Sequence, residues 1–379
     1  MSEAISPFKI DIPQSQLDDL KARLANTRWP EKETVDDWSQ GSPLAAVQDL
    51  CDYWQNSYDW RRCEDRLNNF DNFTTEIDGL NIHFIHVRSP HKNAMPLLLT
   101  HGWPGSVIEF MKVIGPLTNP TEHGGSAEDA FDVVIPSLPG FGFSEKPKST
   151  GWGISKIAAA WISLMKRLGY SQFVAQGGDW GAGITTAIGA INPEECLGIH
   201  LNMPIVFPEQ ADFANLTPRE QAAVDKMQFY QDFDSGYSKQ QATRPQSIGY
   251  GLVDSPSAQA AWIYEKFYAW TDNNGKPEDA LSRDEMLDNI MLYWLPATGA
   301  SSARLYWESF SEMNGTKLSL PVGVSIFPEE LFRPSRRWAE RAYDNIIHWN
   351  ELNQGGHFAA FEQPETFTQE VRNCFRSLR

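Results

Sequence analysis

Residues 174–184 read VAQGGDWGAGI. Val174 and Ala175 continue an apolar run from Phe173, and glycines at 177, 178 and 181 break up the residues after it. The stretch reads as a buried strand that passes through a tight turn into a helix. In many hydrolases such a turn carries the pattern G-x-S-x-G and lifts a nucleophilic serine clear of a sheet. Here the pattern is Gly177-Gly178-Asp179-Trp180-Gly181, with a carboxylate in the serine's position. Alone, the stretch has a second reading. An aspartate that opens a helix accepts N–H bonds and suits the helix dipole. The rest of the chain has to decide between the two.

Similar apolar runs flank the turn: MPLLLTHGW at 95–103, FDVVIPSL at 131–138 and LGIHLNM at 197–203. Helical patterns such as ISKIAAAWISLMKRLGY, 154–170, lie between them. Continuous apolar strands alternating with helices indicate a mostly parallel sheet covered on both faces, an α/β architecture. TTEIDGLNIHFIHVRS, 74–89, alternates like a hairpin ahead of that sheet. From residue 204 the strand texture stops, and it returns only at LPVGVSIFPEE, 320–330, and NIIHWNEL, 345–352. The chain therefore divides into a helical arm at 1–72, a core at 73–203 and 319–379, and a helical block at 204–318 inserted as a lid. In the arm, Leu17, Leu20 and Leu24, then Val47, Leu50 and Trp54, recur at helical spacing.

Composition excludes several classes. Lys+Arg 32 against Asp+Glu 49 leaves a net charge of −17, which repels nucleic acid and anionic lipid. No apolar run is long enough for a membrane span, and the first residues lack the pattern of a signal peptide, so a cytoplasmic protein is expected. Cys51, Cys63, Cys196 and Cys374 are scattered without a CxxC, which argues against a disulfide framework or a zinc site. No metal and no cofactor is expected. Monomer and homodimer are both left open.

Four features fall at predicted strand ends. Asp179 is the first. HGWPGS, 101–106, is the second: a glycine-bearing turn that supplies one backbone donor of an oxyanion hole, from Trp103, while Trp180 supplies the other. His101 itself reads as structural. The third is His357, in GGHFAAFEQPE, 355–365, after the last strand; His348, inside a strand, reads as structural. The fourth is an acid after PVGVSIF, where Glu329 and Glu330 are both eligible and spacing does not choose. The chain order nucleophile, acid, histidine is that of a hydrolase triad, so the helix-cap reading of Asp179 loses. An ionised carboxylate attacks an sp³ carbon without a base. Histidine then activates water against the resulting ester. An epoxide leaves as an alkoxide and needs a proton donor, and the block holds Tyr230, Tyr237, Tyr250, Tyr264, Tyr268, Tyr293 and Tyr306. Composition does not pick among them.

The sequence resembles the microsomal-type epoxide hydrolases, including juvenile-hormone and fungal members, within the α/β-hydrolase superfamily. The resemblance runs through PFKIDIPQSQLDDLKARLANTRWP, HGWPGS, PSLPGFGFSEKP, QGGDWG, GYSKQQATRPQSIGYGLVDSP and GGHFAAFEQPE, nearly the whole chain. It implies Asp179 as nucleophile, His357 as base and Glu330 as the acid, with Glu329 as fallback. It also implies Tyr237 and Tyr306 as the proton donors. The expected reaction turns a small apolar epoxide and water into a vicinal diol through an alkyl-aspartate ester, in detoxification, catabolism or biosynthesis. A haloalkane dehalogenase using the same aspartate is the rival enzyme. A non-catalytic ligand-binding relative is the rival of another class.

Overall fold

The computed structural model describes residues 3–312 and 316–379. Residues 1–2 and 313–315, assigned from sequence to the arm and to the inserted block, lie outside the described residues. The core is a nine-stranded sheet. Its strands are β1 Ile5–Pro7, β2 Asn72–Ile77, β3 Leu80–Val87, β4 Met95–Thr100, β5 Phe131–Pro136, β6 Phe173–Gly177, β7 Cys196–Leu201, β8 Leu318–Ile326 and β9 Tyr343–Glu351. They lie in the order β1-β2-β3-β5-β4-β6-β7-β8-β9. Pairing is antiparallel from β1 to β5 and parallel from β5 onward. The parallel strands β4 to β8 are buried on both faces over most of their length, as their apolar runs require, while β9 at the sheet edge is only partly covered.

One expectation fails at the start of the chain. The arm is not wholly helical, because Ile5–Pro7 forms an edge strand paired with Phe73–Thr75. Three residues are too few for an alternation signal, and Pro7 argues against a strand unless it sits at an edge, which it does. The arm's helices Gln14–Ala25, Leu44–Asn56 and Trp60–Asn68 bury the leucine and tryptophan faces read from sequence.

Between β7 and β8 the described chain contains helices joined by loops and no strand. The arm grips that block through polar contacts. Tyr58 donates to Asp288 (2.8 Å), Arg62 pairs with Asp288 (2.7 Å), Tyr53 donates to Asp284 (2.9 Å), and Trp38 stacks on Tyr268 at 4.0 Å. Asp288 is almost fully buried, so its charge has to be matched where it lies.

Register sets up the site. Thr100 at the end of β4 faces Gly177 at the end of β6. The loops that leave these two strands therefore emerge side by side.

Candidate active site

Asp179 is the first residue of helix Asp179–Ile191 and has φ 50°, a conformation an L-residue adopts only under constraint. The constraint is close packing of backbone. A Cβ on Gly181 would lie 1.9 Å from the Thr100 carbonyl oxygen, and one on Gly177 would lie 2.1 Å from the Gly181 oxygen. Only glycine lets the turn come this near the neighbouring strand. The helix has no side-chain cap, so Asp179 does not serve as one. Its carboxylate turns outward instead. Oδ1 accepts from the Trp103 backbone N–H at 2.7 Å, and Oδ2 lies 3.2 Å from His357 Nε2. The first helix bond is Ala182 N–H to Gly178 O, so the Trp180 N–H has no carbonyl partner within the helix.

His357 follows β9 and is fully enclosed. Its Nδ1 lies 2.6 Å from Glu330 Oε1, and its own N–H donates to the Trp270 carbonyl at 2.8 Å. Glu330 is completely buried, and Oε1 also accepts from the Leu331 N–H at 2.6 Å. Glu329 points away and pairs with Lys226 at 2.7 Å. Burial opposes charge on His357, but the Glu330 carboxylate and the hydrogen bond to Asp179 outweigh it, and the imidazole is held well above its ordinary range. His101 is structural: its Nδ1 contacts Gly102 O, its Nε2 accepts from Leu138 N–H at 3.2 Å, and burial lowers it to about 4. His348 is bound to Glu370 at 2.8 Å, far along the sheet edge.

The tyrosines of the block sort by partner. Tyr250 is exposed, Tyr264 donates to Glu278, Tyr268 stacks on Trp38, and Tyr293 donates to the Gly105 carbonyl. Tyr237, on helix Gly236–Thr243, stacks on Trp103 at 4.9 Å. Tyr306, on helix Gly299–Ser309, sets its edge against Trp180 at 4.7 Å and lies 5.8 Å from the Tyr237 ring. Both are buried, at 6% and 3% exposure. Burial first, and then neighbouring phenols and Asp179, push both phenols well above the usual range, so each keeps its proton. All five side chains singled out from sequence thus converge, with the Trp103 N–H.

Sequence reasoning passed over two neighbours. Tyr230, in the turn Tyr230–Asp234, has its hydroxyl 3.1 Å from that of Tyr237. It was one of seven equivalent tyrosines. Glu109 lies in the short helix Val107–Phe110, and an acid among Val107, Ile108 and Phe110 was the available signal.

Comparison with known proteins places the chain in a family and a fold. The family profile described as epoxide hydrolase N terminus matches residues 5–110, and that of the alpha/beta hydrolase fold matches 95–366. A Stigmatella aurantiaca protein provisionally named as an epoxide hydrolase is 63% identical over 99% of this chain and 86% of its own. Epoxide hydrolase 1 of Sus scrofa is 35% identical over 98% of this chain and 88% of its own. The crystal structure of the juvenile hormone epoxide hydrolase of Bombyx mori superposes with a TM-score of 0.91 at 31% identity, covering 99% and 95% of the two chains. The Aspergillus niger epoxide hydrolase gives 0.90 at 30%, covering 99% and 97%.

Proposed function

The chain belongs to the epoxide hydrolase family of the α/β-hydrolase fold, and from that premise we propose that Asp179 opens the substrate ring. One observation carries the assignment. The Asp179 carboxylate is held on one oxygen by Trp103 N–H and on the other by His357, with two protonated phenols ringed around the same tryptophans.

In this reading an Asp179 oxygen attacks a ring carbon and the C–O bond breaks. The developing alkoxide takes a proton from Tyr237 or Tyr306. Esterification removes the charge of Asp179 and with it one of the two anions that keep His357 protonated. Imidazolium gives up its proton, through solvent, to the phenolate, and the neutral ring becomes the base for water. Water loses a proton to His357 Nε2 as its oxygen bonds to the ester carbon. The tetrahedral oxyanion is stabilised by the backbone N–H groups of Trp103 and Trp180. Collapse expels the diol oxygen, which takes the proton back from His357, and the carboxylic acid left on Asp179, whose hydroxyl came from water, then gives its proton to the imidazole. The enzyme returns to a carboxylate beside an imidazolium, and epoxide plus water has become diol. A halide-releasing reaction needs no phenol, and the tyrosine pair favours the epoxide.

The aromatic surround, Trp103, Trp180, Trp270 and the phenols, supports an apolar substrate. Among the described residues no helix is long and apolar enough to cross a membrane. The four cysteines are free and buried, which supports residence in a reducing compartment such as the cytoplasm.

The test is trapping. In His357→Gln, alkylation of Asp179 should proceed and hydrolysis should stall. Mass spectrometry of the intact protein should find a stoichiometric adduct of the epoxide's mass, mapping to the peptide with Asp179. An adduct elsewhere, or none despite substrate binding, refutes the assignment.

A further inference from the structure

A small chamber adjoins Asp179. Its volume, about 20 Å³ for the centre of a water molecule, suits roughly one water. Gly102, Glu109, Asp179, Asn202, His357 and Phe358 are among its walls. Every residue that lines it comes from the sheet's own loops and helices, and none from the helical block that carries the phenols. Asp179 thus borders a water-sized space walled by core residues alone, with neither phenol among its walls.

Besides Asp179 and His357, the acids and bases that line the chamber are His101 and Glu109, and both ring nitrogens of His101 are already held, by Gly102 O and Leu138 N–H. The seat of Glu109 is built. A Cβ on Gly105 would fall 1.3 Å from Glu109 Oε1, so the carboxyl group occupies the room that any larger residue at 105 would take. The charged and titratable groups acting on it are His357, Asp179 and Glu362, with Tyr293 close by and the Ser106 N–H favouring its anion. Burial raises it to about 8, with His357 working against the rise and Asp179 adding to it. An acid held there has no ion-pair partner among the described residues, and ring opening as proposed above does not use it.

We propose that Glu109 positions the hydrolytic water: its carboxyl oxygen accepts one hydrogen of a water in this chamber. That leaves the other hydrogen for His357 Nε2 and turns the oxygen toward the ester carbon of Asp179. The step itself is unchanged. One O–H bond breaks to His357, one C–O bond forms, and Glu109 neither gains nor loses a proton. Orientation of this kind lowers the barrier of the second half-reaction only. The inference rests on Asp179 and His357 having the roles proposed above.

Single-turnover experiments separate the two halves. Enzyme in excess is mixed with an epoxide and quenched, and the adduct on Asp179 is followed by mass spectrometry. Glu109→Leu removes the acceptor but keeps the bulk. Adduct formation should stay within about 3-fold of wild type while its decay slows about 10- to 100-fold. Glu109→Gln keeps an acceptor oxygen and should restore most of the decay rate. Gly105→Ala should reproduce the selective loss by displacing the carboxyl group with Glu109 intact. Decay at the wild-type rate in Glu109→Leu overturns the proposal. So does an equal slowing of both halves, or decay in Glu109→Gln as slow as in Glu109→Leu. If neither wild type nor His357→Gln forms an adduct on Asp179, the covalent reading falls first and this one with it.

Discussion

Removing the phenols one at a time tests where the leaving oxygen finds its proton. Tyr237→Phe and Tyr306→Phe each delete one hydroxyl and leave the ring, so the stacking on Trp103 and Trp180 survives. With both hydroxyls buried, a hydrogen bond to a developing alkoxide is worth about 1.5–3 kcal/mol. At 1.36 kcal/mol per decade, each single change should slow ring opening about 10- to 150-fold. The double change removes both assigned donors and should reach the range of about 10²–10⁴. The two singles should differ. Tyr230 keeps its hydroxyl 3.1 Å from that of Tyr237 and can step toward the gap that Tyr237→Phe leaves. Tyr306→Phe should therefore be the worse, and Tyr230→Phe should deepen the defect of Tyr237→Phe more than it affects wild type. Stopped-flow tryptophan fluorescence is a suitable assay, because Trp103 and Trp180 flank the nucleophile and report alkylation directly. Singles that leave the fluorescence phase within about 3-fold of wild type, while steady-state turnover falls, refute the reasoning. The phenols would then act after ring opening.

Two further outcomes are expected. In H₂¹⁸O with enzyme in excess, the first turnover should give diol with mostly unlabelled oxygen, since that atom comes from Asp179. Label should enter on later turnovers, and labelled diol from the first one means direct attack by water. The second concerns folding at low pH. Glu220 closes the cap of helix Pro218–Phe229 and accepts from Ser335 and Arg337. Burial alone would raise it, but the bonds from Ser335, the Thr217 backbone and Arg337 hold it down at about 2. A depressed carboxyl contributes stability above its unfolded value, near 4.5, and loses it as pH falls toward 2. Glu220→Gln should thus lower Tm at pH 7 and flatten the decline between those values. Parallel acid limbs for both proteins by calorimetry contradict the linkage.

What could be read from residue order alone was whatever is written locally. Period and apolar runs marked β4 to β9 as a mostly parallel sheet, because a strand buried on both faces needs no polar alternation. Asp179 and His357 were legible as candidates because a glycine-tight turn after a strand and a histidine after the last strand fall in the chain order nucleophile, acid, histidine, although each stretch alone has another use. Glu329 and Glu330 are adjacent, so local pattern left them equal. The tertiary fold separates them: one side chain enters the interior beside His357 and the other meets Lys226 outside. The same holds for seven tyrosines of like type, whose roles depend on what each hydroxyl meets after helices far apart in the chain pack over the sheet. The edge strand Ile5–Pro7 exists only because Phe73–Thr75 offers it a partner, and Glu109 gains its chamber only where the loops after β4 and β6 meet. Burial, partner and charge environment are properties of the closed fold, and no window of the sequence contains them.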